Sequence, residues 1–182
     1  MAVKPAAPLV TTRRLELWQP CADDLAGLHA MMDDAETVRF VGGHIPTEAE
    51  DFSRLLRNAG SWALYGYGVF MVRFRGEQQI VGSCGVFRSH RGFGADKGFD
   101  NVPEAGWIVH RDCWGQGVAQ EAMQAALAWF DRTHGKQRVA CMIEDGHAAS
   151  DRVAQTLGFV RIGEHVLEED GGDVAMMLYE RG

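Results

Sequence analysis

The first half of the chain combines two kinds of hydrophobic spacing. Leu15 and Leu17 stand two residues apart between polar neighbours, which is the period of a strand. Further on, Thr47 and Glu50 match the capping box that opens a helix, because each side chain can accept a bond from the other's backbone N–H. We therefore predict a strand over 13–18, a helix over 23–32, a helix from 48 that stops at Gly60, hairpin strands over 70–75 and 80–88, and a Gly-rich loop over 89–101.

The second half places a strand before each of two helices and ends in a hairpin. Ala and aromatic residues recur at i, i+3, i+4 and i+7 over 118–134, and small Ala side chains allow a helix to pack closely on a sheet. The predicted elements are strands over 104–110 and 138–143, helices over 118–134 and 148–157 that end at Gly135 and Gly158, and hairpin strands over 159–168 and 174–179. This order predicts an α/β (or α+β) domain with a mixed sheet.

Length and charge narrow the class of protein. The 182 residues fit a single domain, 1–182, of which we assign 1–10 to a flexible N-terminal tail. The formal net charge of −7 argues against a nucleic-acid partner, because such binders display a basic stripe. We find neither a signal-peptide pattern nor an apolar run of membrane-spanning length, so we expect a cytoplasmic protein with no membrane partner.

The cysteines and histidines give no indication of metal or redox chemistry. The four cysteines are scattered without a CxxC pair, and the seven histidines lack the spacing of metal ligands. We therefore expect structural thiols, no metal, and no acyl intermediate on a cysteine.

Glycine is the compositional outlier, with 22 residues, about 12% against a typical ~7%. Gly115 and Gly117 lie between a predicted strand and a predicted helix, where backbone N–H groups and the helix dipole can together hold a phosphate. The alternative is a tight strand-to-helix turn without a ligand. A GxxxxGK[ST] loop is not found, and Gln120 stands where a GxGxxG fingerprint needs its third glycine.

Three segments of the second half follow one another in a fixed order and spacing. They are Glu104-Ala-Gly-Trp-Ile-Val-His, Cys113-Trp-Gly-Gln-Gly-Val-Ala-Gln-Glu-Ala122, and Ser150 through Leu157-Gly158-Phe159. Together they resemble the GCN5-related N-acetyltransferase (GNAT) superfamily, and with Thr12-Arg-Arg-Leu-Glu-Leu17 they are similar to its ribosomal-protein N-terminal acetyltransferase branch. The resemblance covers residues 11–179. It implies a mixed, mostly antiparallel central sheet of about seven strands, flanked by helices and splayed between strands 4 and 5.

The resemblance also implies how acetyl-CoA binds as co-substrate. Backbone groups near Ile108 and Val109 would pair with the pantetheine arm, and an N–H of the splayed strand would donate to the thioester carbonyl. His147 takes the place of an Asn that contacts the cofactor in the related branch, and the alternative for it is an exposed residue near a helix start. The N–H groups of one turn would hold the pyrophosphate: Gly115, Gln116, Gly117, Val118 and Ala119.

Two residues are candidates for the acid–base chemistry. An attacking amine must lose a proton, and Glu104 stands where the related branch has a carboxylate. Ser150 matches a Ser that the branch places near the sulfur, while solvent is the alternative source of a proton for the thiolate. The plainer alternatives are a solvated Glu104 at a strand end and an ordinary polar Ser150 in a helix. Ala154 replaces a Tyr that many family members have.

By resemblance, the predicted function is an acetyl-CoA-dependent N-acetyltransferase that moves an acetyl group directly to an amine in a ternary complex. The acceptor stays open between a protein N-terminus and a small-molecule amine, and relatives often form homodimers. Acidic runs over 33–36 and 168–170 would suit a cationic acceptor, or are simply solvated turns. The alternative function is a catalytically idle acyl-CoA-binding or sensor module of the same fold.

Overall fold

The computed structural model describes residues 5–93, 99–169 and 172–182. The missing ranges include part of the predicted Gly-rich loop, 94–98, and the centre of the last predicted turn, 170–171, so those predictions lie outside the described residues. The strands are β1 (Val10–Thr11), β2 (Leu15–Trp18), β3 (Val69–Phe74), β4 (Gly82–Phe87), β5 (Glu104–Val109), β6 (Val139–Glu144), β7 (Val160–Glu169) and β8 (Gly172–Arg181). The helices are α1 (Leu25–Met32), α2 (Ala35–Val38), α3 (Glu48–Tyr65), α4 (Val118–His134) and α5 (Ala148–Thr156).

The strands form one open sheet in the order β1-β2-β3-β4-β5-β6-β8-β7. All neighbours are antiparallel except β5 and β6, which are parallel and share a single register pair, Glu104 with Ala140. The predicted mixed, mostly antiparallel sheet is thus confirmed, and β5 and β6 are the two strands that the sequence analysis counted as 4 and 5. The sheet has eight strands rather than about seven, because the two-residue β1 is too short to show a hydrophobic period.

Different helices cover the two faces of the sheet. Ala122 of α4 packs with Val72 on one face, whereas Leu28 of α1 and Leu55 of α3 pack with Met71 on the other. Met71 and Val72 are consecutive in β3, so their side chains point to opposite faces. The first half of α3 and the whole of α1 are therefore separated from α4 by the sheet.

Helix α3 is longer than predicted. The capping box of Thr47 and Glu50 is confirmed, since each side chain accepts a bond from the other's backbone N–H. The predicted stop at Gly60 is wrong: the helix continues to Tyr65 and ends at Gly66, whose φ is +75°. A glycine costs a helix only about 1 kcal/mol relative to Ala, and burial of one face of α3 outweighs that cost.

The N-terminal segment begins its strand pairing earlier than predicted. Val10, which the sequence analysis assigns to the terminal tail, lies in β1 opposite Leu17. The N–H of Leu9 also donates to the Leu17 carbonyl at 3.0 Å. Within the described ranges, none of the helices combines the length and the apolar character needed to cross a membrane.

Candidate active site

The parting of β5 and β6 opens a cleft in the middle of the sheet. The two strands pair only at Glu104 and Ala140, and beside them lies a cavity of about 910 Å³, a size typical of small-molecule sites. The cavity walls bring together four of the residues predicted from sequence: Glu104, Ile108, His147 and Ser150. The predicted phosphate turn is not part of these walls; it follows β5 beyond the end of the cavity.

The backbone of β5 directs hydrogen-bonding groups to this gap at alternate residues. His110 donates its N–H to the carbonyl of Val81, before β4, at 3.0 Å, and the direction alternates along an antiparallel ladder. The backbone groups of Ile108 therefore point to β4, whereas those of Val109 point to the gap. The Val109 carbonyl accepts from the Trp114 indole at 2.7 Å, which leaves the Val109 N–H as the group that faces the gap. Ile108 contributes its side chain to the wall.

The turn between β5 and α4 has the geometry of an anion site. Gly115 and Gly117 have φ of +70° and +72°, in the left-handed region that other residues rarely adopt. Glu121 forms the first N–H bond of the helix, to the Gly117 carbonyl, so the N–H groups of 118–120 have no partner inside the helix. These donors and the positive end of the helix dipole fit a pyrophosphate. The assignment of 115–119 to the cofactor stays a prediction.

Side chains brace this turn, and the sequence analysis did not find them. Arg14 donates to the Gln116 carbonyl at 2.9 Å and pairs with Glu121, with Nε and Oε2 2.7 Å apart. Thr12 donates to the other carboxylate oxygen of Glu121 at 2.5 Å. Gln116 uses its own amide to donate to the Asp112 carbonyl at 2.7 Å, so its side chain supports the loop. The only sequence signal was the Glu inside the glycine-containing run.

Glu104 is buried, with 3% of its surface exposed, and is therefore not the solvated residue of the plainer alternative. Ser89 donates to Oε2 at 2.5 Å. Arg91 donates from Nε to Oε2 at 3.0 Å and from Nη2 to Oε1 at 2.5 Å. A carboxylate has about four lone-pair positions, so these three bonds leave about one for an incoming group. The role of Glu104 as a base stays a prediction.

Ser150 lies in the first turn of α5 and contacts β5 through its hydroxyl. The Trp107 indole N–H donates to Ser150 Oγ at 3.2 Å. A hydroxyl has one proton and two lone pairs, so this contact uses the Ser150 oxygen as acceptor and does not use its proton. That proton is the group that Ser150 offers to the cleft.

His147 precedes α5, half-buried rather than exposed. Its ring stacks on Phe40 with centroids 4.0 Å apart and planes 15° apart. Burial lowers the pKa of His147 below its ordinary 6.5, and the positive charge of Arg39 lowers it further, against the opposing effect of Asp151. The ring is neutral at pH 7 and offers one donor and one acceptor to a ligand. Its contact with the cofactor stays a prediction.

The acidic run over 33–36 does not line the cleft. Asp34 caps α2, where Oδ2 accepts from the Thr37 N–H at 2.8 Å. The other oxygen of Asp34 lies 3.2 Å from Nε of Arg111. Asp34 therefore serves local structure, and the run does not contribute to the walls of the cleft.

Arginine side chains dominate the charge of the cleft, which the sequence analysis missed. The five arginines in its walls come from three separate segments and so leave no basic run in the sequence: Arg39, Arg54, Arg57, Arg88 and Arg91. The acidic residues in the walls are Glu104 and Glu144. The available signal was the helical spacing of Arg54, Arg57, Asn58 and Ser61, which places them on one face of α3.

The cysteines are free and mostly buried, as expected of structural thiols. Burial raises the pKa of Cys84 to about 12 and raises that of Cys141 as well. A thiol with a raised pKa is a poor nucleophile. The described residues also contain no group of three or more His, Cys, Asp or Glu side chains placed to hold a metal.

A sheet split between two parallel strands, beside a phosphate-fitting turn, is the arrangement that the resemblance to the GNAT superfamily implies. Residues 14–160 match the sequence model of the acetyltransferase (GNAT) domain. The chain belongs to this family, which confirms the resemblance found in the sequence. The family is one of acetyltransferases.

Solved structures agree with this assignment, and a curated relative matches part of the chain. A Bordetella pertussis protein assigned to the GnaT-family acetyltransferases has a TM-score of 0.81 and 32% identity, over 100% of this chain and 99% of its own. RimL, a ribosomal L7/L12 α-N-protein acetyltransferase solved with CoA, has a TM-score of 0.74 over 93% of this chain and 94% of its own; at 16% identity it shows the fold alone. The uncharacterized protein YkkB of Bacillus subtilis is 32% identical over 98 residues, which span 52% of this chain and only about half (51%) of that protein.

Proposed function

We propose that the protein transfers the acetyl group of acetyl-CoA directly to an amine in a ternary complex, without an acyl-enzyme. The observation that carries this proposal is the cleft between β5 and β6, whose walls contain Glu104 and Ser150. The Val109 N–H faces the same gap, while the thiols of Cys84 and Cys141 are buried. A proton acceptor, a hydrogen-bond donor for the departing sulfur and a backbone donor for the carbonyl oxygen suit acyl transfer to an amine.

Glu104 takes the proton that the amine loses. The amine nitrogen bonds to the thioester carbonyl carbon while the C–S bond breaks, which gives an amide and the CoA thiol. The proton moves to Glu104, directly or through one water, at the carboxylate position that Ser89 and Arg91 leave open. A backbone N–H of β5 stabilises the charge that develops on the carbonyl oxygen.

Ser150 stabilises the departing sulfur. The Trp107 indole holds its oxygen, so the hydroxyl proton is directed to another acceptor, for which the thiolate is suited. A thiolate is a weak enough base that solvent can complete its protonation. Ser150 therefore contributes a hydrogen bond rather than a proton transfer.

An amine screen tests the proposal. We expect acetyl-CoA to raise the melting temperature of the protein, and free thiol to appear when a suitable amine is added. The panel contains small amines and peptides with free N-termini, because RimL is named for acetylating a protein α-amine. The same panel without enzyme is the control.

The alternative is a catalytically idle acyl-CoA-binding module. It is favoured by the fact that Ser89 and Arg91 already hold both oxygens of Glu104. Thermal stabilisation by acetyl-CoA without thiol release on any amine would support this alternative and contradict transfer.

A further inference from the structure

The face of α3 that lines the cleft carries two arginines that lack strong partners. Arg54 Nε is buried and has no hydrogen-bond partner among the described residues; it lies 3.7 Å from Asp51 Oδ1, too far for a hydrogen bond. Arg57, one turn further, is exposed and forms no ion pair within the described ranges. Burial lowers the pKa of Arg54, and the like charge of Arg57 also lowers it, against the larger raising effect of Asp51. An anion between the two guanidinium groups would relieve this repulsion.

The walls of the cleft have a charge opposite to that of the whole chain. The protein has a formal net charge of −7, but five arginines and two glutamates line this one cavity. Glu104 is already paired with Arg91, and Arg39 has only a surface pair with Glu36 at 3.9 Å, which contributes little. The positive electrostatic potential of the cleft therefore attracts anions. A cavity with low-dielectric walls strengthens that potential.

Arg54 and Arg57 belong to the face of the sheet on which Glu104 lies. Leu55, between them in α3, packs in one cluster with Ile108 of β5. Glu104 is four residues from Ile108 in the same strand, so both side chains point to that face. Val118, which begins α4 at the predicted pyrophosphate turn, packs in the cluster of the opposite face. An anion on Arg54 and Arg57 is thus separate from the phosphates expected at the turn.

We propose that the acceptor is a small amine that also carries a carboxylate or a phosphate, which Arg54 and Arg57 bind while the amine faces Glu104. This inference rests on the proposed acetyl transfer and specifies its substrate class. Guanidinium groups suit this role because their forked donors match carboxylate and phosphate oxygens in pairs. The cationic acceptor that the acidic runs would suit is not supported by the walls of the cleft.

Matched acceptor pairs provide the test, with thiol release as the readout. Each pair shares one amine and differs in one anionic group: an amino acid against its amide, and phosphoethanolamine against ethanolamine. We expect kcat/KM to be at least tenfold higher for the anionic member of at least one pair, and the better pair identifies carboxylate or phosphate as the ligand. Arg54→Gln and Arg57→Gln should remove that preference, and Arg54→Lys should retain part of it.

Two controls separate this inference from its rivals. Arg132→Gln removes an exposed arginine from α4, across the sheet, and should leave the preference unchanged. The Kd of acetyl-CoA should stay within twofold in every variant. A rise in that Kd would assign Arg54 and Arg57 to the cofactor phosphates and overturn the proposal.

The remaining outcomes separate the substrate class from acetyl transfer itself. Turnover of neutral amines or neutral peptide N-termini with no anionic preference would overturn the substrate class and leave acetyl transfer intact. Binding of acetyl-CoA with no turnover of any amine would overturn both.

Discussion

At its proposed cofactor end the cleft leads to a turn of backbone N–H groups, whereas at its proposed acceptor end arginine side chains line the wall. The turn depends on two positive φ angles, at Gly115 and Gly117, and on the start of α4. The acceptor wall depends on the identity and charge of side chains such as Arg54 and Arg57. A backbone site changes only when the local backbone conformation changes, while a side-chain site changes with any substitution of the side chains that form it. We therefore expect the first end to hold the cofactor and the second end to set the choice of substrate.

The strongest test of this contrast is Glu104→Gln, where the two ends meet. General base catalysis is worth about 10²–10⁴-fold, so we expect kcat to fall by that factor, measured by thiol release. The Kd of acetyl-CoA should be unchanged, because Glu104 lies apart from the phosphate turn. Its matched control is Arg91→Gln, which removes the partner and leaves the carboxylate. Equal losses in both variants would mean that the ion pair shapes the loop and that Glu104 is not the base.

The next largest loss of activity is expected for a substitution of Ser150, which lies between the proposed cofactor and acceptor ends of the cleft. A hydrogen bond to a charged group contributes about 1.5–3 kcal/mol, so Ser150→Ala should reduce kcat roughly 10–100-fold. Trp107→Phe keeps the hydroxyl but removes the indole donor 3.2 Å away, and should have a smaller effect. If kcat of Ser150→Ala equals that of the wild type, solvent alone serves the thiolate.

The same contrast explains how far the sequence could predict this molecule. The glycine turn could be found because it needs glycine at fixed positions, between a strand and a helix that have clear periods. Glu104, Ile108, His147 and Ser150 were found through the family pattern, and they do share one cleft. These residues stand at fixed places on regular elements, where local spacing carries most of the information.

The acceptor wall could not be predicted for a physical reason. Arg39, Arg54 and Arg91 are far apart in the chain, and only the packing of α3 and of the β4–β5 connection on the sheet gathers them. The ion pair between Arg91 and Glu104 likewise joins residues that are not neighbours in the chain, although each residue could be recognised as charged from the sequence. Gly60 shows the opposite error, since a local stop signal was overruled by burial of the α3 face. Packing between residues far apart in the chain therefore determines the arginine wall, the Arg91–Glu104 pair and the end of α3.

Two separate glycine substitutions test the proposed cofactor end of the cleft. Gly117 has φ of +72°, and alanine there costs about 1–2 kcal/mol, so Gly117→Ala should lower the melting temperature and weaken acetyl-CoA binding. Gly60→Ala is the control at the acceptor end: the site is helical and nothing lies within 4 Å of an added Cβ. It should stabilise the protein by about 0.5–1 kcal/mol. Unchanged acetyl-CoA affinity in Gly117→Ala would remove the turn from the cofactor site.

The smallest expected effect is a pH dependence confined to the acceptor end. His29 Nδ1 of α1 lies 2.9 Å from Oδ2 of Asp51, the fully buried residue of α3 that also approaches Arg54. The hydrogen bond with Asp51 raises the pKa of His29 above its ordinary 6.5, with smaller contributions from Asp33 and Glu48 and against a lowering by burial. A raised histidine pKa stabilises the folded state fully below pH 6.5, and that contribution is lost as pH rises through the raised value.

His29→Gln measures this contribution, because glutamine can still donate to Asp51 but carries no charge. The wild type should have its largest advantage in melting temperature over the variant near pH 6, and the advantage should shrink toward pH 8.

The cofactor end should not follow this trend. Burial lowers the pKa of His147 below 6.5, so the ring is neutral above pH 7 and acetyl-CoA affinity should be flat from about pH 7.5 to 8.5. A melting-temperature difference that grows with pH would contradict the assigned charge of His29. An acetyl-CoA affinity that changes with pH over this range would indicate a titrating side chain at the proposed cofactor end.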